Sequence, residues 1–173
     1  MADVDRIALE RWIAHRDAEA LRSIVMRHSA MVFATCRRIL NNASDAEDVA
    51  QECFETVAEV RSVPALGAVG AWLHGVATKR ALQRLRGEGR RKRREATFMA
   101  QQDATCEMAW DDIYCHVDES IAALPPECRA PLVAHFLEGE SKTAIAQAIG
   151  VSAGTVAYRI EKGIELIRRA LRK

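Results

Sequence analysis

Residues 139–173 read GESKTAIAQAIGVSAGTVAYRIEKGIELIRRALRK, and this stretch predicts two helices joined by a tight turn. Ala146 stands where the two helices must nearly touch, Gly150 follows at the turn, and Val156 is spaced to fill the angle between the helices. This spacing is typical of the helix-turn-helix, which places its second helix in the major groove of DNA. The last fifth of the chain therefore predicts a DNA-reading element.

The second of these helices has an apolar stripe and an opposite polar face. Ser152 can cap it by accepting from its free amides, with Thr155 closing the first turn. Apolar or small residues then recur at three and four positions, which predicts one buried stripe: Val156, Ile160, Gly163, Ile164, Ile167 and Leu171. The opposite face carries side chains that can reach phosphates or base edges: Tyr158, Lys162 and Arg169, with Arg159 on the flank. An ordinary amphipathic hairpin packed on the rest of the protein is the alternative.

Length and composition limit the class of protein. The chain has 173 residues, of which 49% are hydrophobic and only 5% aromatic, enough apolar material for one domain or two small ones. The abundance of Ala and Leu favours an all-helical protein. No apolar run is long enough to span a bilayer, and the N-terminal residues lack the apolar core of a signal peptide. We therefore expect a cytoplasmic protein with no membrane insertion.

The cysteines predict reduced thiols. There are five of them, an odd number without a CxxC pair, which argues against a disulfide framework. Cys106, Cys115 and His116 are conceivable metal ligands, but their spacing fits no zinc module. His, Asp, Ser and Cys are otherwise scattered without a nucleophile motif. We expect no metal or other cofactor, and no enzymatic activity of the chain itself.

The net charge of +1 conceals a strong segregation of charge. Residues 84–94, RLRGEGRRKRR, contain a single acid. Residues 95–128 contain no Lys or Arg, whereas acids accumulate there: Asp103, Glu107, Asp111, Asp112, Asp118 and Glu119. This segregation predicts that one part of the chain meets a polyanion and another part meets a cationic surface. Two solvated charge runs in a linker are the alternative.

The chain begins with two helical patterns. A short helix is predicted over 7–12, and Asp17 is a plausible cap for the long core helix that follows. The long helix is expected to end near Asn41 and Asn42. His28 lies on its apolar stripe, and we interpret it as a packed core histidine rather than a catalyst.

A third helix is predicted to start at Ser44 or Asp45. Its apolar residues form a regular face, and the opposite face is an acidic ridge made of Asp48, Glu52, Glu55 and Glu59. A solvated helix face would explain this ridge equally well in isolation.

A loop and a cationic helix follow. Pro64, Gly67 and Gly70 interrupt the helical pattern, so we expect a loop over 61–69. The next helix has a row predicted to be buried, made of Leu73, Ala77, Ala81 and Leu85. The opposite row is predicted to face outward and contains Lys79, Gln83 and Arg86. Because the buried row is too rich in Ala to insert into a membrane, nucleic acid is the expected partner.

The remaining chain predicts a tether and a second helical domain. Residues 87–111 lack clear periodicity, which is typical of a linker. Helical patterns then resume, with Pro126 suited to a first turn and Pro131 expected to kink the same helix. We therefore predict an all-α protein of two small helical domains, at 1–87 and 111–173, joined by a flexible linker at 88–110.

Four segments in this order resemble the extracytoplasmic-function (ECF) sigma factors, the smallest bacterial sigma subunits. They are DAEDVAQECF at 45–54, AWLHGVATKRALQRLR at 71–86, LPPECRAPL at 124–132, and the helix-turn-helix with its GTV triplet at 154–156. The resemblance covers nearly the whole chain and implies two helical domains, region 2 and region 4. It also implies a protein that binds core RNA polymerase and directs promoter-specific transcription initiation. Promoter DNA is then a partner, and an anti-sigma factor is a further partner that the family allows.

The resemblance assigns residues to three surfaces. In the family the AED-x-x-Q helix docks on the clamp helices of the largest catalytic subunit, and the matching positions are Glu47, Asp48 and Gln51. Region 2 binds the minus-ten element, by analogy through Thr78, Lys79, Arg80, Gln83 and Arg86. Region 4 reads the minus-thirty-five element in the major groove, and its candidates are Ser152, Thr155, Tyr158, Arg159 and Lys162.

Three features depart from the family pattern. The family often has Asn and Asp where this chain has Lys79 and Gln83, so a promoter sequence does not transfer. The loop at 61–70 has no aromatic residue for base capture. Gly163 replaces a residue that is usually Ala, at a helix-interior cost on the order of 1 kcal/mol. We expect close packing against a neighbouring helix to explain this glycine.

Two other classes of protein compete with this interpretation. A stand-alone helix-turn-helix regulator would account for the last third of the chain but would leave the acidic ridge and the cationic helix without roles. A small enzyme or metal sensor built on the cysteines is the other alternative.

Overall fold

The computed structural model describes residues 2–63, 68–97 and 110–172, and every regular element among them is an α-helix. The all-α prediction is confirmed. The helices are, in chain order, α1 (Ala2–His15), α2 (Ala18–Leu40), α3 (Ala43–Glu59), α4 (Val69–Thr97), α5 (Trp110–Ala122), α6 (Pro126–Phe136), α7 (Lys142–Ile149) and α8 (Ala153–Leu171).

Local capping chemistry sets the first helix boundaries. The side chain of Asp17 accepts hydrogen bonds from two amides in the first turn of α2, as predicted. Asn41 ends α2 in the left-handed conformation, with φ 49°. Asn42 then caps α3 by accepting from the Asp45 amide at 3.2 Å. The third helix therefore begins at Ala43, slightly earlier than the predicted start, because Asn42 rather than a later residue supplies the cap.

The first half of the chain, α1 to α4, packs around α2. Its core is lined by side chains that the helical patterns place inward, including Leu9, Ile24, Val32, Ile39, Val49, Val57 and Leu73. Both α3 and α4 contact α2 along its length, and α1 packs across it. Burying these side chains is the main source of stability for this half.

Helix α4 differs from its prediction in extent and in one buried residue. Leu73, Ala77 and Ala81 are buried as predicted, but Leu85 is 37% exposed because it lies beyond the helices that cover the row. The helix continues to Thr97, so residues 88–97 of the predicted linker are helical. Its start at Val69 places Gly70 in the first turn rather than in the loop. Pro64, Gly67 and residues 98–109 lie outside the described residues.

The second half, α5 to α8, has two small cores. One lies between α5, α6 and α8 and contains Ile121, Leu124, Leu132 and Val133. The other lies between α7 and α8 and contains Ile145, Ala146, Val156 and Ile160. Pro126 occupies the first turn of α6, as expected, and Pro131 lies inside the same helix. The prediction that Leu171 is buried is wrong, since it is 44% exposed at the end of α8.

Close packing explains the unusual glycine of α8. Gly163 is buried, and a Cβ at this position would lie 3.1 Å from Cδ1 of Leu132 and 3.5 Å from Cδ1 of Leu124. Helices α6 and α8 therefore approach more closely than an alanine would allow. The sequence-based expectation for Gly163 is confirmed.

The two halves are in contact. Helix α5 packs against α2 and α4, α6 packs against α4, and α7 packs against α1. Ala71 of α4 is 2% exposed because it is buried in the core of the second half. This arrangement brings the acidic helix α5 against the cationic helix α4.

Candidate polymerase and nucleic-acid interfaces

The predicted helix-turn-helix is present at α7 and α8. Gly150 ends α7 in the left-handed conformation, with φ 69°, which allows the sharp turn. Ala146 and Val156 are 5% and 0% exposed and fill the angle between the helices. Ser152 caps α8, because its hydroxyl accepts from the Thr155 amide at 3.0 Å. The cap fixes the start of the helix that we expect to enter the groove.

The outer face of α8 presents most of the predicted region 4 residues. Tyr158 is 65% exposed, Ser152 and Lys162 are exposed, and Thr155 and Arg159 are half-buried. Glu161 and Glu165 are exposed between the cations, and Glu165 pairs with Arg169 at 3.0 Å.

The outer face of α8 is therefore mixed in charge. Lys162 and Arg159 are its two cations nearest the capped end, and Glu161 and Glu165 repel phosphates along the same surface. Such a face favours contacts with base edges at a few positions over uniform attraction to the DNA backbone.

Helix α3 carries the predicted docking residues on its outer surface. Glu47, Asp48 and Gln51 are all exposed, and the Gln51 amide donates to Glu55 at 3.2 Å within the same helix. These three side chains form the α3 patch, an exposed surface of two carboxylates and one amide that a cationic partner can reach. Helix α3 holds them rigidly because its opposite face, which includes Val49, Cys53 and Val57, is buried in the core.

One member of the predicted acidic ridge has a different role. The carboxylate of Glu52 accepts from Arg80 at 2.9 Å and from Arg84 at 3.1 Å, both on α4. Arg80 also donates to the Thr56 hydroxyl at 2.8 Å, and Arg84 lies 3.6 Å from Asp45. Glu52 therefore ties α3 to α4 instead of standing free for a partner.

The predicted DNA-facing residues of α4 divide into two groups. Lys79, Gln83 and Arg86 are exposed, as the helical rows predicted. Thr78 is 2% exposed, and its hydroxyl donates to the His74 carbonyl at 2.9 Å, so it does not face a DNA strand in this conformation. Arg80, the other residue of this group, donates a hydrogen bond to Glu52 instead of extending into solvent. Thr78 and Arg80 differ from the prediction for the same reason. Both lie beside the outward-facing row of α4, where neighbouring helices cover them.

Sequence reasoning missed a buried carboxylate between the two halves. Asp118 of α5 is 1% exposed and accepts from Arg38 Nε and Nη2 at 3.1 and 2.8 Å, while His74 Nε2 lies 3.0 Å away. Burial alone would raise the pKa of Asp118, but the hydrogen bonds from His74 and Arg38 outweigh it and lower the pKa below its ordinary value. The available signal in the sequence was the absence of Lys and Arg from residues 95–128, because the acids of this segment must then find cationic partners elsewhere in the chain or on another molecule.

The thiols whose side chains are described lie in the interior. Cys36, Cys53 and Cys128 are free and buried. The hydrogen bond with Cys53, together with burial, raises the pKa of the Cys36 thiol. A thiol held in its neutral form is a poor nucleophile and a poor metal ligand. The side chains of Cys106 and Cys115, two of the conceivable metal ligands, lie outside the described residues.

Two properties of the described residues bear on the predicted function. No cluster of three or more His, Cys, Asp or Glu side chains in residues 2–63, 68–97 and 110–172 is arranged to hold a metal ion. Over the same ranges, no helix combines the length and the apolar character that crossing a bilayer requires.

Comparison with protein families identifies both halves. Residues 24–91 match the family described as Sigma-70 region 2, and residues 117–173 match the family described as Sigma-70, region 4. The first match contains the α3 patch and most of α4, and the second contains the helix-turn-helix.

Three curated proteins are similar to the chain over most of its length. ECF RNA polymerase sigma factor SigE of Mycolicibacterium smegmatis is 35% identical over 87% of this chain, which spans 61% of that relative's length. ECF RNA polymerase sigma factor SigW of Bacillus subtilis is 25% identical over 90% of this chain and 91% of its own length. RNA polymerase sigma-H factor of Pseudomonas aeruginosa is 28% identical over 96% of this chain and 93% of its own. The chain belongs to the ECF sigma factor family.

Proposed function

We propose that this chain is a sigma subunit that binds core RNA polymerase and directs promoter-specific transcription initiation. The observation that carries the proposal is the presence of an exposed acidic patch on α3 and a capped helix-turn-helix in one chain, each inside a matched sigma region. A stand-alone regulator would use the helix-turn-helix but would have no use for the α3 patch. The chemistry of RNA synthesis belongs to the polymerase, and the chain acts where that enzyme is, in the cytoplasm.

The α3 patch is the proposed polymerase-docking surface. Glu47, Asp48 and Gln51 are exposed on a helix whose other face is anchored in the core, so they can meet a cationic surface without rearrangement. Glu52 is occupied by arginines of α4 and contributes to the rigidity of the patch rather than to docking. Charge complementarity of this kind mainly sets specificity and association rate.

The proposed DNA contacts come from one helix in each half. Lys79, Gln83 and Arg86 of α4 contact the minus-ten element, and the outer face of α8 reads the minus-thirty-five element. Each half alone would bind DNA weakly. Because they are linked, the second contact is intramolecular, with an effective concentration that can reach the mM range. Phosphate contacts position the protein, and base contacts select the promoter.

Reconstituted transcription tests the function. The purified chain is combined with core RNA polymerase and a library of promoter-length fragments from the source genome. We expect transcripts from discrete start sites that depend on the chain. If the core enzyme transcribes with another sigma factor but never with this chain, the proposal is wrong. A stand-alone regulator would instead bind discrete fragments without polymerase and alter transcription directed by another sigma factor.

A pair of variants tests the docking surface. Asp48→Arg with Gln51→Ala reverses and truncates the α3 patch at exposed positions, so we expect association with core polymerase to be lost while circular dichroism is unchanged. Glu19→Arg makes the same type of charge change at an exposed residue of α2 and serves as the control. Unchanged co-purification of the double variant with polymerase would remove the α3 patch from the docking surface.

A further inference from the structure

The two halves are joined by carboxylates of the second half that bind cationic and imidazole groups of the first. Asp118 receives two hydrogen bonds from Arg38 on α2 and lies 3.0 Å from His74 on α4. A two-point arginine–carboxylate contact is both stronger and more directional than a single ion pair. The hydrogen bonds from Arg38 and the contact with His74 thus stabilise the buried Asp118 carboxylate in this position.

The neighbouring residue extends the contact onto the proposed DNA-binding face. Glu119 accepts from Arg86 of α4 at 3.0 Å. Arg86 is one of the residues proposed to meet the minus-ten element. Helix α5 therefore places two adjacent carboxylates against α4 and α2, and one of them, Glu119, pairs with a cation of the proposed DNA-binding face.

A second contact lies at the far end of α6. Glu138 lies just after the end of α6, and its Oε1 lies 2.6 Å from His28 Nδ1. The other ring nitrogen of His28 lies 3.2 Å from Asp5, which also pairs with Arg27. The Glu138 carboxylate lies directly over Gly70, where any Cβ would overlap it. The first turn of α4 thus accommodates a side chain from the second half.

This closed arrangement conflicts with simultaneous promoter contacts. Elements centred near positions ten and thirty-five lie about 25 base pairs apart, or roughly 85 Å at 3.4 Å per pair. A compact chain of this length has a radius of gyration of about 16 Å and is roughly 40 Å across. The two DNA-reading helices cannot reach both elements until the halves separate.

We propose that α5 is an intramolecular competitor of promoter DNA, whose Asp118 and Glu119 occupy Arg38, His74 and Arg86 and hold the free chain closed. The proposal rests on the proposed function for the identity of the DNA that is excluded. Opening exposes Arg38 and Arg86 to phosphates and frees the second half to move along the promoter. The acids of α5 thereby meet a cationic surface of their own chain, a type of partner that the charge segregation predicted.

The test measures closure and DNA affinity without polymerase, so its failure is distinct from a failure of the proposed function. The full chain carries Asp118→Asn with Glu119→Gln, and Glu10→Gln is the control, because Glu10 pairs with Arg6 inside α1. The probe is a fluorescent single-stranded oligonucleotide of random sequence. Small-angle X-ray scattering gives the radius of gyration of each free variant.

We expect the double variant to expand and to bind the oligonucleotide more tightly, while the control matches the wild type. Each additional phosphate contact should steepen the slope of log K against log salt by about 0.7, which is about fivefold in affinity at 0.1 M salt relative to 1 M. Expansion without tighter binding would overturn the competitor role of α5. Unchanged size and unchanged affinity would overturn the whole proposal.

A milder variant covers the case in which the double variant does not fold. Glu119→Gln alone changes a side chain that is 46% exposed and leaves Asp118 in place. It should steepen the salt slope by about 0.7 through release of Arg86 and leave the radius of gyration unchanged. An unchanged salt slope in this variant would show that Glu119 does not compete with DNA for Arg86.

Discussion

Gly163→Ala tests how closely α8 packs against α6 in the second half. The new methyl carbon would lie 3.1 Å from Cδ1 of Leu132, a residue that is itself only 3% exposed. Ordinary carbon contacts are about 3.5–4.0 Å, so the helices must part by roughly half an ångström. Overpacking of this kind costs about 1–3 kcal/mol, whereas replacing a helical Gly with Ala gains about 1 kcal/mol. We expect a net destabilisation of about 1 kcal/mol.

A second substitution should reverse the sign. Leu132→Val removes the Cδ1 atom, so in that background Gly163→Ala should stabilise the protein by about 1 kcal/mol. The resulting coupling of about 2 kcal/mol lies within the range expected for residues in contact. Gly87→Ala is the open-space control, because no heavy atom lies within 4 Å of its Cβ position. This control should stabilise in either background.

Urea denaturation followed by circular dichroism measures the free energy of unfolding of each variant. The slope of the free energy with urea should be the same throughout, since these substitutions change little exposed area. If Gly163→Ala stabilises the wild type as much as the Leu132→Val background, the contact with Leu132 does not limit the approach of α6 and α8.

Three further predictions concern the cap, the interdomain carboxylate and the outer face of α8. Ser152→Ala should destabilise α8 by about 1 kcal/mol in thermal unfolding, and Ser152→Asp, which can also cap, should restore most of the loss; no loss in Ser152→Ala would show that the cap is unimportant. Asp118 should contribute its full stabilisation above pH 3.8, its ordinary pKa, and lose it as the pH falls through the lowered pKa of the folded protein. The difference in the free energy of unfolding between the wild type and Asp118→Asn should therefore shrink in acid. A pH-independent difference would contradict this. Lys162→Ala should reduce discrimination between promoter variants by about 1–3 kcal/mol if the side chain makes a bidentate base contact, and equal weakening on all sequences would show a phosphate contact.

Features that depend on neighbours in sequence were predictable. The caps at Asp17 and Ser152 and the turn at Gly150 follow from a side chain or a backbone conformation acting within a few residues. The close packing at Gly163 was also predictable, because a glycine inside a helix needs a compensating contact. These local rules were sufficient to predict the all-α class and the helix-turn-helix.

Features that depend on tertiary neighbours were not predictable from helical rows. Thr78 and Arg80 lie on the flank of the cationic row, and only the placement of other helices decides that one is buried and the other paired. Leu85 and Leu171 continue apolar rows but extend past the helices that cover them. The continuation of α4 to Thr97 shows that Gly87 and Gly89 weaken a helix without ending it.

The shortness of α7 predicts which part of the protein unfolds locally first. It has only 8 residues, which is shorter than the roughly 12–15 residues that an isolated helix needs to persist in water. Its buried contribution to the core with α8 is limited to Ile145 and Ala146. The amide protons of α7 should therefore exchange with deuterated solvent through local opening at a lower free energy than those of α2, which lies at the centre of the larger core. Bound DNA should slow that exchange, because the first helix of a helix-turn-helix crosses the DNA backbone.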